Sequence, residues 1–291
     1  MGAALYRGMD QPTLEREYNA RESVASYEDE HALYVAESDR VMARLPAIRD
    51  IAFDADSDQT LDLYLAGEGS PVFLWIHGGY WRGGSKLDNA FAAGGLTAHG
   101  ISVAVMDYTL APAAGIAEMV RQVRSAVAWL AKNGAQHGLD TRRIHAGGSS
   151  AGGHLVGMLL ARDWTRDFDL SDDIMGTVLA LSGLHELDPL PHTQVQGWMQ
   201  FDADAIAENS PQRLIPEASS ARLIASVGGL ETSEFIRQTQ DYAASWKDAG
   251  HQVQVIDMPQ HNHFNIALSL SEPDGILVKA VARSIAEDER T

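Results

Sequence analysis

The sequence predicts an α/β fold in which a mostly parallel sheet carries helices on both faces. Continuously apolar runs of strand length follow one another between residues 72 and 258, and segments with helical spacing separate them. Strands that are apolar throughout are typical of parallel sheets buried on both faces, and their alternation with helices is typical of α/β domains. The 291 residues, 45% of them hydrophobic, suffice for a single domain with a sizeable core.

The chain begins with a polar segment, residues 11–45, that we interpret as a helical leader. Its apolar residues recur at roughly helical spacing, which predicts one or two amphipathic helices lying over the body of the protein; they are Leu14, Tyr18, Val24, Tyr27, Leu33 and Tyr34. Residues 48–53 and 60–65 then alternate apolar and polar side chains around a turn-rich DADSDQ, which predicts an antiparallel hairpin.

The hairpin and the apolar runs together predict eight strands. The buried strands are predicted at 72–77, 101–108, 142–148, 176–183, 221–229 and 251–258, and helices near 87–99, 115–133, 151–162, 232–249 and 272–287. Residues 184–216 interrupt this alternation with a Pro-rich stretch and a short helix. Because this insertion carries Leu, Trp, Met and Phe, we expect it to form a small cap over a pocket within the single domain 1–291.

The composition excludes several functional classes. Lys and Arg total 22 against 40 Asp and Glu, a formal charge of −18 that disfavours binding to nucleic acid or anionic membranes. The absence of cysteine excludes disulfides, thiolate catalysis and Cys-ligated metals. The N-terminus lacks the pattern of a signal peptide, and no apolar run approaches the ~20 residues that span a bilayer. We therefore expect a cytoplasmic protein.

The sharpest local signal is Gly148-Ser149-Ser150-Ala151-Gly152, a G-x-S-x-G between a predicted strand and a predicted helix. In that context the motif forms a sharp elbow whose glycines make room for the neighbouring strand and helix. The central Ser150 then projects its hydroxyl from the sheet edge, at a helix N-terminus that favours developing negative charge. Ser150 is the predicted nucleophile; Ser149 competes less well because Ala151 stands two residues after it.

A second motif, His77-Gly78-Gly79-Tyr80-Trp81, ends the strand at 72–77. Paired glycines at a strand end expose backbone N–H groups, and esterases of the α/β-hydrolase fold use such a loop as an oxyanion hole together with the N–H after the nucleophile. The predicted donors are Gly78, Gly79 or Tyr80 with Ala151. His77 is expected to brace this loop through a hydrogen bond.

Serine hydrolases of this fold use a catalytic triad whose members occur along the chain in the order Ser, acid, His. We therefore expect the acid and the histidine after the last two strands. Glu231 lies in the turn after the strand at 221–229 and is the predicted acid, with Glu234 and Asp257 as alternatives. His263, after the last strand, is the predicted base, with His261 as the alternative.

Metal chemistry is not expected at these histidines. His261-x-His263 has ligand-like spacing, but no nearby Asp, Glu or His cluster completes a site. The other histidines at strand or helix ends are expected to be structural; they are His77, His145, His154 and His185.

Five segments together make the chain resemble the kynurenine formamidase (arylformamidase) branch of the α/β-hydrolases, which neighbours the hormone-sensitive-lipase-type carboxylesterases. They are HGGYW, DYTLAP, GSSAGGHL, SGLHELDPL and GLETSEFIRQ, within about residues 70–285. The esterases usually have HGGG and GDSAGG, so Tyr80 and Ser149 here favour the formamidase side. The formamidases often have Asp where this chain has Glu231, and either carboxylate can orient an imidazole.

The resemblance implies a serine hydrolase without cofactor or metal that cleaves a small formamide or ester. N-formylkynurenine, an intermediate of tryptophan catabolism, is the first expectation and a generalist short-chain or aryl carboxylesterase the alternative; a catalytically silent fold is a third hypothesis, disfavoured because every triad residue is present. Tyr80, Trp81 and Trp198 are expected to stack on an aromatic leaving group. Homodimers are common for such folds, but no exposed apolar stripe identifies an interface.

Overall fold

An eight-stranded sheet forms the centre of the molecule. The computed structural model describes residues 4–288, so residues 1–3 and 289–291 of the predicted domain lie outside it. The strands are β1 (Ala47–Ala52), β2 (Thr60–Tyr64), β3 (Ser70–Ile76), β4 (Ser102–Met106), β5 (Leu139–Ser149), β6 (Met175–Leu181), β7 (Arg222–Gly228) and β8 (Gln252–Met258). Their order is β1-β2-β4-β3-β5-β6-β7-β8, antiparallel where β2 pairs with β1 and β4 and parallel elsewhere. The prediction of a mostly parallel eight-stranded sheet is confirmed.

Helices cover both faces of the sheet. They are α1 (Gln11–Glu17), α2 (Tyr27–Arg44), α3 (Ala93–Leu96), α4 (Ile116–Asn133), α5 (Ala151–Leu159), α6 (Gln196–Met199), α7 (Ala203–Asn209), α8 (Ser233–Asp248), α9 (Asn265–Leu268) and α10 (Ile276–Asp288). Side chains alternate along each strand, so Val72 and Leu74 pack in one core with α4, α5 and α8. Phe73 and Trp75 pack in a second core with α3 and α10. The sheet is therefore buried on both faces.

Two predicted helices are shorter in the structure. The segment 87–99 contains one α-helical turn, α3, between 3₁₀ turns at Ala90–Ala92 and Thr97–His99. Gly95 is required here because a Cβ at this position would lie 2.6 Å from the carbonyl oxygen of Leu270. Glycine in turn disfavours helix, which shortens this one. The last helix starts at Ile276 because Pro273 restricts the preceding Glu272 to extended backbone.

The leader and the insertion both reach the carboxyl edge of the sheet. In the leader, α1 packs through Leu14 on one core and α2 packs through Val41 on the other. Side-chain caps fix where these helices begin, since Asp10 accepts a hydrogen bond from the Thr13 N–H and Ser26 from the Asp29 N–H. The insertion 184–216 contains two short helices, α6 and α7, rather than one.

Candidate active site

Ser150 lies at a sharp turn between β5 and α5. Its backbone angles, φ 58° and ψ −117°, are strained for a residue with a side chain. The surrounding chain holds the turn, because the Ser150 N–H donates to the carbonyl oxygen of Leu181 at 2.9 Å. A Cβ on Gly148 would lie 2.4 Å from the Gly152 carbonyl oxygen, and a Cβ on Gly152 2.1 Å from the Ile76 carbonyl oxygen. Only glycine fits at either position.

His263 and Glu231 meet after the last two parallel strands. His263 Nδ1 lies 2.5 Å from Glu231 Oε2. The other carboxylate oxygen, Glu231 Oε1, accepts hydrogen bonds from Ser182 Oγ at 2.6 Å and from the Gly228 N–H at 2.7 Å. The ring of Phe235 packs 4.4 Å from the imidazole, centroid to centroid. The imidazole is therefore held by one hydrogen bond and by packing, as a base of defined tautomer needs.

Ser150 and His263 line the same cavity of about 150 Å³. In the described part of the chain, no hydrogen bond joins Ser150 Oγ to His263 Nε2. Such contacts are often long in enzymes without substrate and shorten when substrate binds. The structure thus brings the three predicted triad residues to one place, with the histidine and the acid already paired.

Three of the alternative residues, Glu234, Asp257 and His261, do not line the cavity, whereas Ser149 does. Glu234 accepts a hydrogen bond from Tyr18 Oη at 2.7 Å and forms an ion pair with Arg237. Asp257 is exposed on β8. His261 supports the loop through its carbonyl oxygen, which accepts from the Leu230 N–H at 3.1 Å. Ser149 ends β5 with its hydroxyl buried and without a hydrogen-bond partner among residues 4–288.

The loop after β3 passes directly against the elbow. A Cβ on Gly78 would lie 3.2 Å from the Ser150 Cβ, so this backbone can approach the nucleophile only as glycine. Within the described residues, no group accepts a hydrogen bond from the backbone N–H groups of Gly78, Gly79, Tyr80 or Ala151. Free, clustered N–H groups beside a serine are what an oxyanion hole requires.

His77 lies behind this loop. Its Nδ1 is 2.8 Å from the Gly78 carbonyl oxygen, and its ring stacks on Tyr108 with centroids 4.4 Å apart. Burial lowers the pKa of His77, so the ring is held neutral. A neutral imidazole with its proton on Nδ1 donates to that carbonyl oxygen and so braces the loop.

Aromatic side chains from four parts of the chain form the cavity wall, the fourth being the segment after β8 that contains Phe264. The leader contributes one side of this wall, the loop after β3 contributes Tyr80, and the insertion contributes Trp198. The aromatic lining residues are Tyr18, Tyr27, Tyr34, Tyr80, Trp198 and Phe264. Trp198 Nε1 donates to the Tyr80 carbonyl oxygen at 3.0 Å, which joins the insertion to the loop.

The prediction that Trp81 lines this pocket is wrong. Its ring is completely buried and packs edge to face against His154 and Phe201, with centroids 5.2 and 6.0 Å apart. Tyr80 and Trp81 both have positive φ, 50° and 58°, so the chain reverses here and Trp81 points into the core. Burial of the large Trp81 ring is favourable, and the adjacent Tyr80 lines the cavity instead.

Three other predicted structural histidines are buried in the core. Burial lowers the pKa of His145 and of His185 to about 3 and that of His154 to about 4. His154 Nε2 lies 2.7 Å from the Asn209 carbonyl oxygen and links α5 to α7. His145 Nδ1 accepts from the Thr177 N–H at 2.8 Å. None of these rings faces the cavity that holds Ser150.

Sequence reasoning missed the groups that hold the acid and the base. Ser182, directly after β6, donates to Glu231. Because β6 and β7 are neighbouring parallel strands, a polar residue at the end of β6 could have been predicted to lie near the residues that follow β7. Tyr34 Oη donates to the Phe264 carbonyl oxygen at 2.9 Å, and Asn262 Nδ2 donates to Glu30 Oε1 at 2.6 Å. No sequence pattern announces these long-range contacts.

Residues 4–288 contain no cluster of three or more metal-ligating side chains of suitable geometry. Nor does any helix within the same residues have the length and apolar character to cross a membrane.

Comparison with known proteins places these features in a wider group. A family model described as BD-FAE matches residues 61–178. The kynurenine formamidase of Danio rerio is 28% identical over 257 residues, which cover 86% of this chain and 86% of that protein. The kynurenine formamidase of Salmo salar is 26% identical over an alignment of 296 positions, which covers 97% of this chain and 99% of that protein.

This chain is also similar to a solved structure over most of its length. The crystal structure of a protein from Silicibacter sp. TM1040, proposed to be a thioesterase, is 27% identical and matches with a TM-score of 0.78. It covers 92% of this chain and 98% of that chain. The similarity therefore extends over most of this chain.

Proposed function

Because this chain is a hydrolase of the α/β-hydrolase fold, similar to the kynurenine formamidases, we propose that it cleaves a small formamide. The proposed substrate is N-formylkynurenine, and the products are kynurenine and formate, a step of tryptophan catabolism. The observation that carries this proposal is the pairing of His263 with Glu231 in the cavity that also holds Ser150.

In the proposed mechanism, Ser150 Oγ attacks the formyl carbon while His263 Nε2 takes the hydroxyl proton. Glu231 keeps the other imidazole proton on Nδ1 and stabilises the imidazolium that forms. The N–H of Ala151 and those of the loop at Gly78 and Gly79 donate to the oxyanion, each donor lowering the barrier by about 3–4 kcal/mol. The elbow and the loop are packed against each other, so these donors need little reorganisation.

The second half of the reaction returns the enzyme to its starting state. His263 gives its proton to the leaving aromatic amine, and the C–N bond breaks. Water then loses a proton to His263 and attacks the formyl-Ser150 ester; the ester C–O bond breaks, His263 returns the proton to Ser150 Oγ, and formate leaves. Tyr80 and Trp198 supply ring surfaces on which the aromatic amine can stack.

A generalist short-chain or aryl carboxylesterase is the second candidate. The aromatic lining of the cavity favours an aryl leaving group but does not select an amine over an alcohol. The same three side chains and the same donors would serve an ester equally well.

The deciding experiment compares kcat/KM on N-formyl-L-kynurenine with kcat/KM on p-nitrophenyl acetate. We expect deformylation to be much the faster reaction, and Ser150→Ala to abolish both activities without lowering Tm. Fast ester cleavage with negligible deformylation would instead favour the carboxylesterase. If neither substrate reacted and a fluorophosphonate failed to label Ser150, the triad itself would be refuted.

A further inference from the structure

Two arginines of the cavity lining have no acidic partner among residues 4–288. Arg21 belongs to the leader and Arg82 to the loop after β3, and both are exposed residues of the cavity lining. Within residues 4–288, neither guanidinium forms an ion pair or a side-chain hydrogen bond. Each lies instead over an aromatic ring: Arg21 is 3.9 Å from the centroid of Tyr27, and Arg82 is 4.2 Å from that of Trp198.

The net charge of the protein makes positive side chains in this cavity notable. Acidic residues exceed basic ones by 18, and many arginines pair with them, as Arg121 does with Asp54 at 2.5 Å and Arg237 with Asp241 at 2.7 Å. Among the described residues, the cavity lining contains one carboxylate, Asp88, which lies 3.7 Å from His31 Nε2. The lining therefore has more guanidiniums than carboxylates, on a protein whose net charge is strongly negative.

Stacking on a ring leaves a guanidinium prepared to bind an anion. The aromatic ring occupies the face of the guanidinium, whereas its N–H groups point outward in the guanidinium plane. These N–H groups match the two oxygens of a carboxylate in a bidentate hydrogen bond. The ring beneath also limits the rotamers of the long side chain, so less entropy is lost on binding.

We propose that Arg21 and Arg82 bind a carboxylate on the leaving group of the substrate, remote from the carbonyl that Ser150 attacks. The inference rests on the proposed function, since it assumes that an aryl leaving group occupies this cavity. The substrate class is then an acylated or formylated arene that carries a carboxylate. The leader, which supplies Arg21, thereby becomes a determinant of specificity.

The test uses two aryl acetates, 4-acetoxybenzoate and its methyl ester, in which one methyl group removes the negative charge. We expect Arg21→Gln and Arg82→Gln each to lower kcat/KM for the anionic ester about tenfold, through KM. The neutral ester should respond less than about twofold, because it offers no charge for the guanidinium to bind. Added salt should raise KM for the anionic ester only.

Arg166→Gln is the matched control, because Arg166 is exposed and lies outside this cavity. Arg82→Lys keeps the charge without the bidentate geometry and should recover part of the preference. Calorimetric binding of both esters to Ser150→Ala gives a second readout that needs no turnover. Adding either Gln substitution to this variant should weaken its binding of the anionic ester only.

The outcomes separate this inference from the formamidase assignment. If N-formyl-L-kynurenine is not cleaved but the ester pair shows the expected discrimination, the carboxylate site stands and the formamidase assignment falls. If the Gln variants lower kcat/KM equally for both esters, the arginines act structurally and the proposal is wrong. Equal binding of the two esters to Ser150→Ala, or no binding of either, would also overturn it.

Discussion

The two carboxylate oxygens of Glu231 have different partners. Oε1 accepts hydrogen bonds from Ser182 Oγ, directly after β6, and from the N–H of Gly228, the last residue of β7. Only Oε2 faces His263 Nδ1. The side chain of Glu231 is completely buried, so a change of its chemistry cannot be compensated by water.

Glu231→Gln should therefore reverse the tautomer of His263. The two donors to Oε1 require an acceptor, so the amide oxygen takes that place and the amide NH2 turns to His263 Nδ1. The imidazole must then carry its proton on Nε2 and cannot accept the proton of Ser150. We expect kcat on p-nitrophenyl acetate to fall about 10³- to 10⁴-fold, with little change in Tm.

Asp257→Asn is the control for this substitution, because it makes the same chemical change at an exposed carboxylate on β8. Its kcat should equal that of the unmodified protein. A Glu231→Gln variant with nearly normal kcat would show that another group orients the imidazole.

At the scale of elements, α2 stabilises the loop that carries the base. Tyr34 donates to the carbonyl oxygen of Phe264, the residue after His263. One turn earlier on the helix, Glu30 accepts from Asn262, the residue before His263. Tyr27, also on α2, packs edge to face on Phe264 with centroids 5.4 Å apart. A helix far away in sequence thus holds both neighbours of His263, the proposed base.

Tyr34→Phe removes one of these hydrogen bonds and keeps the ring. A typical hydrogen bond contributes about 1 kcal/mol, so looser placement of the His263 loop should lower kcat about fivefold. KM should change less, because Phe retains the surface that lines the cavity. Steady-state kinetics on a formamide or an ester measures this split.

Leu33→Ala tests whether any change in α2 has the same effect, since Leu33 is exposed on that helix. It should leave kcat unchanged. Equal losses in both variants would mean that α2 acts only through general stability.

At the scale of the whole molecule, buried neutral histidines make folding sensitive to acid. His145, His154 and His185 have pKa values of about 3 to 4 in the fold, against 6.5 for an exposed histidine. Between those values the unfolded chain binds protons that the folded protein cannot. Stability is then complete above about pH 6.5 and falls as pH drops from there toward 4.

His154→Gln should weaken this dependence. Glutamine can still donate to the Asn209 carbonyl oxygen but does not titrate. The loss in unfolding free energy between pH 7.5 and pH 5 should shrink by about 2 kcal/mol relative to the unmodified protein. Urea unfolding at the two pH values measures this loss of unfolding free energy. The control is His99→Gln, at an exposed site, which should lose as much unfolding free energy as the unmodified protein. An unchanged pH dependence in His154→Gln would contradict the assignment.

Local signals predicted most of the architecture. Continuous apolar runs indicated the buried strands, and the glycines of the elbow indicated a turn that only glycine can form, because each such signal lies within a few consecutive residues. The predicted helix at 87–99 is reduced to one α-helical turn because Gly95 packs against Leu270, a contact between distant segments that spacing does not encode. Trp81 was misassigned for a related reason, since its direction depends on two successive left-handed residues.

The sequence by itself determined the fold class, and it predicted the order of nucleophile, acid and base along the chain and a loop that offers backbone donors. Those predictions follow from periodicity and from motifs whose chemistry is local. Only the tertiary structure decided which side chains surround the predicted triad. Distant segments that cross at one sheet edge bring Ser182 to Glu231, Tyr34 to the residue after His263, and Arg21 and Arg82, which have no ion pair within residues 4–288, to the cavity lining. Side-chain packing between remote segments, rather than local preference, selects such neighbours.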